Sequence, residues 1–118
     1  YDGFSPRALP DQTVNGALTV GENIGDLGGL TIGHKAYVIS TDGTASIEDR
    51  RALFLNWAYV WRTKRRPEQE AQYLTIDPHS PPEFRANIVR NLDEFHEVFG
   101  TAEGDALWID PAERVRIW

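Results

Sequence analysis

Glu22 and Asp26 stand four residues apart in a proline-free stretch, Ala17 to Ser40, whose apolar residues Val20, Ile24, Leu27 and Val38 recur at helical intervals. On a helical wheel the two acids fall within about 40° of each other, and Gly29, Gly33 and Ala36 continue the same stripe. Each interior glycine costs roughly 1 kcal/mol relative to alanine, so Gly25, Gly28, Gly29 and Gly33 call for compensation. Close approach of another helix or of a ligand to the bare face would supply it, with the carboxylates aimed at an arriving cation or donor. A metal or a paired histidine would also relieve the mild repulsion between like charges one turn apart. The plainer alternative is an amphipathic helix with both acids on its wet surface.

The rest of the polar inventory narrows the chemistry. With no cysteine, disulfides and thiolate zinc sites are excluded, and histidine occurs only at positions 34, 79 and 96. Arg62, Lys64, Arg65 and Arg66 precede Pro67, where cations suit the carbonyl end of a helix, so a solvated helix terminus is a simpler reading than a phosphate patch. Twelve basic against 18 acidic residues give a net charge of −6, which disfavours a nucleic-acid or anionic-membrane binder. No apolar run approaches the ~18 to 20 residues that span a bilayer. The sequence also has no methionine, from which we expect it to be part of a longer protein.

One hundred and eighteen residues suffice for one modest core, and the patterning is all-α. Residues 1–16 read as an irregular lead-in that packs on something, and 17–40 as the helix bearing Glu22 and Asp26. Thr41-Asp42-Gly43-Thr44 breaks that helix. Ser46 and Asp49 resemble a capping box before Ala52–Trp61, a run apolar on nearly every side that belongs in a core. A short helix is predicted over Glu68–Leu74. Ser80 is a candidate cap, with Glu83 completing a capping box, for a helix running to about Arg90. Asn91 is a candidate cap for Leu92–Phe99, which Gly100 would stop, so that 46–100 is a helical region of successive short helices. Residues 101–118 read as a loop-rich tail whose terminal Trp118 needs burial to be ordered.

Val14-Asn15-Gly16-Ala17-Leu18-Thr19-Val20-Gly21-Glu22-Asn23-Ile24-Gly25-Asp26-Leu27-Gly28-Gly29-Leu30, followed by Ala36-Tyr37, closely resembles the G-E-N-I-x-D-x-G-G segment of the neprilysin family of zinc metallopeptidases. Phe54-Leu55-Asn56-Trp57-Ala58 with Trp61, Arg66-Pro67-Glu68, Asp77-x-His79-Ser80-Pro81-x-x-Phe84-Arg85, then Asn91, Phe95, Phe99 and Arg116-Ile117-Trp118 follow the family's C-terminal stretch in order. The resemblance covers essentially the whole chain. It implies one fragment, residues 1–118, from the C-terminal helical part of a thermolysin-like (gluzincin) catalytic domain.

By that resemblance Glu22 corresponds to a glutamate ligand of zinc, the implied cofactor. Asp26 corresponds to the carboxylate that orients a ligand histidine through its other ring N–H. His79 matches a histidine that hydrogen-bonds the oxyanion of the tetrahedral intermediate, in a loop stiffened by Pro78 and Pro81. Arg85 matches an arginine that binds peptide carbonyls of the substrate. His34 and His96 match no functional position and read as surface or partly buried residues; the tryptophans read as packing residues.

The family pattern is incomplete here. No histidine has another four residues later, so the H-E-x-x-H helix that provides two zinc ligands and the general base is not in this sequence. The expected function is part of a zinc metalloendopeptidase acting on peptides or small proteins, with the isolated chain inactive, without tightly bound zinc and prone to self-association. Its other partner would be the upstream part of the same domain. Val115 stands near where secreted relatives carry a cysteine, which fits a cytoplasmic or exported bacterial protein. A non-catalytic helical interaction module, binding a partner chain through the bare or apolar faces, is the rival reading.

Overall fold

The computed structural model describes residues 1–117. Its elements are α1 (Gly16–Ser40), α2 (Ile47–Val60), α3 (Pro67–Ile76), α4 (Pro82–Ala86), a 3-10 turn (Asn87–Asn91) and α5 (Asp93–Phe99). No strand occurs among the described residues. The all-helical character expected from the patterning is thus what the chain adopts.

The long helix α1 begins at Asn15, whose Oδ1 accepts the Leu18 N–H at 3.1 Å and so caps a free donor of the first turn. Gly16 is required by the lead-in: its N–H donates to Asp2 Oδ1 at 2.9 Å, and a Cβ there would lie 2.6 Å from the Asp2 Cβ. The lead-in does pack. Tyr1 Oη donates to the Phe84 carbonyl at 2.9 Å while its ring stacks on Phe84, and the Arg7 N–H donates to Glu83 Oε1 at 2.8 Å.

The capping box at Ser46 and Asp49 forms as expected, each residue accepting the other's backbone N–H at 3.1 Å. The expected burial of α2 does not follow. Phe54 alone is buried, and Leu55, Tyr59 and Val60 are 60, 64 and 65% exposed. Phe54 packs on α1 and α5 and Trp57 reaches α4, but the face bearing Leu55, Tyr59 and Val60 is left uncovered by the described residues. Val20 and Ile24 of α1 are likewise half exposed.

Two further caps are corrected. Pro81 occupies the cap position of α4 with no side-chain bond, because the Ser80 hydroxyl is engaged elsewhere and Glu83 serves the lead-in. The helix predicted to reach Arg90 tightens after Ala86 into the 3-10 turn. Leu92, not Asn91, precedes α5; Asn91 instead donates to the Ile88 carbonyl and accepts from the Val115 N–H at 3.0 Å, anchoring the tail. Gly100 ends α5 in the left-handed region, φ 65°, with its N–H on the His96 carbonyl.

The core gathers Leu27 and Leu30 of α1, Phe54 of α2, Ile88, Val89 and Leu92 around the 3-10 turn, and Phe95 and Val98 of α5. Phe54 meets Phe95 edge-on at 5.7 Å, a favourable aromatic geometry. Arg114 and Arg116 both pair with Asp93, at 2.6 and 2.8 Å, so the tail closes over the start of α5. Trp118, expected to need burial, lies outside the described residues. Both His34 and His96 are buried, more deeply than expected. His96 is fully partnered by Thr101 Oγ1 and the Arg90 carbonyl, whereas His34 leaves Nε2 without a partner.

Candidate active site

The four residues singled out from the sequence lie on one side of the molecule, contributed by α1, by the loop between α3 and α4, and by α4 itself. Glu22 and Asp26 come from successive turns of α1. His79 projects from a loop held by Asp77, whose Oδ1 accepts both the His79 backbone N–H at 2.9 Å and its ring at 2.6 Å, Nδ1 being the nitrogen involved. The other ring nitrogen, Nε2, lies 3.3 Å from Glu22 Oε2. His79 and Glu22 side chains are 42 and 48% exposed, so both face an open surface.

Arg85 is brought against Asp26 by α4. Its Nε donates to Oδ2 at 2.6 Å and its Nη2 to Oδ1 at 2.7 Å, the forked geometry for which a guanidinium is shaped. The pair is largely out of water, with Asp26 8% exposed. Hydrogen bonding to Asp26 raises the arginine's pKa above its ordinary value, against the opposing effect of burial. Beneath, the guanidinium carbon sits 3.9 Å from the centre of the Trp61 ring, and Trp57 Nε1–H donates to the Arg85 carbonyl at 3.1 Å. Trp57 and Trp61, expected only to pack, hold Arg85 at both its backbone and its charged end.

Burial opposes ionisation of Asp77, but the hydrogen bonds from His79 outweigh it and hold the carboxyl below the ordinary range. Asp77 was not singled out from the sequence; an acid two residues before a histidine in a proline-rich loop was the available signal. A cavity of about 240 Å³ opens beside His79 and Arg85, walled by Trp61, Arg65, Tyr73 and Asp77.

The donor set fits one corner of a metal site. Glu22 keeps a half-exposed carboxylate in reach of solvent, a suitable single oxygen ligand. No cluster of three or more His, Cys, Asp or Glu side chains able to hold a metal occurs among the described residues. Asp26 gives one lone-pair direction of each oxygen to Arg85 and retains the other for a further donor.

The model of peptidase family M13 matches residues 1–115. The chain belongs to peptidase family M13. Among other M13 proteins, the neutral endopeptidase of Lactococcus lactis subsp. lactis (strain IL1403) is 39% identical over 119 residues, a match that takes in 100% of this chain and 18% of that protein. Endothelin-converting enzyme 1 of Bos taurus is 34% identical over 127 residues, covering 100% of this chain and 16% of the enzyme. The cryo-EM structure of the Mycobacterium tuberculosis zinc metalloprotease Zmp1 in an open state superposes with a TM-score of 0.90 at 46% identity, over 100% of this chain and 20% of that one. The chain therefore spans about a fifth of the length of the M13 proteins it matches. No helix among the described residues is long and apolar enough to cross a membrane.

Proposed function

We propose that this chain forms the C-terminal part of the catalytic domain of a zinc metalloendopeptidase, and that its substrates are peptides or small proteins. The observation that carries this reading is the convergence of Glu22, Asp26, His79 and Arg85 from segments about sixty positions apart, the half-exposed Glu22–His79 contact lying beside the mostly buried Asp26–Arg85 pair. Membership of family M13 supports it, as do the names of the matched relatives.

In this reading Glu22 is a zinc ligand and Asp26 orients a ligand histidine from an H-E-x-x-H helix encoded elsewhere in the parent. The metal, when bound, supplies Lewis acidity and an activated water. Asp77 accepts Nδ1–H of His79 and fixes the plane of the ring. Nε2, which lies 3.3 Å from Glu22 Oε2, is then the ring nitrogen turned toward Glu22, where it can meet negative charge developing on the substrate oxygen. Arg85 has five N–H donors and spends two on Asp26, leaving three for peptide carbonyls. Trp61 below and Asp26 beside it limit the guanidinium's freedom, so little entropy is lost when a substrate docks.

The test is hydrolysis of an unstructured peptide by the full-length protein, before and after 1,10-phenanthroline and after zinc is returned. Cleavage that is lost and then restored is expected; cleavage indifferent to the chelator contradicts the reading. The exposed Leu55, Tyr59 and Val60 favour a second one, a helical interaction module or a self-associating chain, which predicts partner binding that chelators do not touch.

A further inference from the structure

His79 must be held at a fixed height above α1 if it is to act on a group bound near Glu22. The contacts so far described do not hold it. Asp77 belongs to the same loop and would move with it. The 3.3 Å approach of His79 to Glu22 joins two half-exposed side chains, a contact worth little in water. The Arg85–Asp26 pair fixes α4, but lies six positions further along, beyond Pro81 and Pro82.

One residue after His79 the chain makes a different contact. The Ser80 hydroxyl donates to Asn23 Oδ1 at 2.7 Å, across 57 positions of sequence, with Ser80 only 3% exposed. Asn23 is the neighbour of Glu22. Its amide is oriented along the helix, with Nδ2 directed at Thr19 Oγ1 at 3.4 Å, while Thr19 in turn donates to the carbonyl of Asn15, the cap of α1. Residues 22 and 23 of α1 thus face residues 79 and 80 of the loop in register. A slip of one helical position would displace the loop by about 1.5 Å along the axis and leave the half-buried Asn23 carbonyl and the buried Ser80 hydroxyl without each other.

We propose that the Asn23–Ser80 hydrogen bond is the register lock of the site, and that both are positioning residues for His79. The proposal rests on the peptidase reading for its catalytic consequence, but not for its geometry. Loss of the lock lets the imidazole drift relative to Glu22, while Glu22 keeps its place on α1 and Asp26 and Arg85 keep each other. Turnover falls, while metal binding and substrate affinity do not.

The experiment compares the full-length protein with its Ser80→Ala, Asn23→Ala and double variants. Each single change is expected to lower kcat by about 10- to 100-fold with KM and zinc content unchanged, since misplacement by an ångström suffices for such losses. The double variant is expected to be no slower than the worse single one, because both remove the same bond. Single effects below about twofold, additive effects, or losses that follow zinc content overturn the lock. Asn23→Ala, at a half-buried helical position, decides the matter if Ser80→Ala does not fold. If the wild-type protein cleaves no peptide, the peptidase reading fails by itself. A crystal structure of full-length Ser80→Ala then judges the lock: His79 Nε2 still within hydrogen-bond reach of Glu22 overturns it, and displacement upholds it.

Discussion

Arg85 grips Asp26 with two hydrogen bonds of 2.6 and 2.7 Å, joining α4 to α1 across 59 positions of sequence with little water on either partner. The pair sits under the candidate site and ties its two halves together.

Breaking this pair is expected to be costly. Asp26→Asn removes the charge opposite a mostly buried guanidinium and should destabilise the protein by about 3 to 5 kcal/mol, as a denaturant melt would measure. A loss below about 1 kcal/mol would show that the pair behaves as an exposed one.

Trp57 provides a finer probe. Trp57→Phe keeps an aromatic ring against Trp61 while deleting the donor to the Arg85 carbonyl, and should cost about 1 kcal/mol in the same melt. No change would mean that the indole N–H contributes nothing to holding α4.

His34 gives the stability a pH dependence. It is buried, stacked on Phe54 with centres 5.6 Å apart, and has an unpartnered Nε2. Burial lowers its pKa; Glu94 and Glu97 of α5 pull the other way, and Arg50 of α2 adds to the lowering. The unfolded chain therefore takes up a proton near pH ~6.5 that the folded chain still refuses. The contribution is complete above that pH and is lost as the pH falls through it towards the depressed folded value. Thermal melts between pH 7.5 and 5.5 should show wild type losing more stability than His34→Phe; parallel losses would contradict this.

Local signals were legible where one segment decides its own structure. Ser46 and Asp49 cap α2 because each bonds only to the other, and Gly100 stops α5 because its backbone takes a left-handed turn. The signals failed where a distant partner outbid a local one. Ser80 has the composition of a cap but spends its hydroxyl on Asn23, and Asn91 is taken by the tail at Val115. In α2 the apolar run predicts burial on nearly every side, yet among the described residues only Phe54 is buried. Of the site, Glu22 and Asp26 were visible as a spacing on one helix. Their meeting with His79 and Arg85 required the family resemblance, since no periodicity links positions so far apart, and the roles of Asp77, Trp57 and Trp61 emerged only from contacts.

The central claim is that Glu22 holds zinc while His79 serves the reaction without holding it. The direct measurement is zinc content beside turnover in full-length Glu22→Ala and His79→Ala. Glu22→Ala should lose both metal and activity. His79→Ala should keep a full complement of zinc and lose about 100- to 1,000-fold in kcat, as removal of an oxyanion donor does. Retention of zinc and activity by both variants would contradict the account.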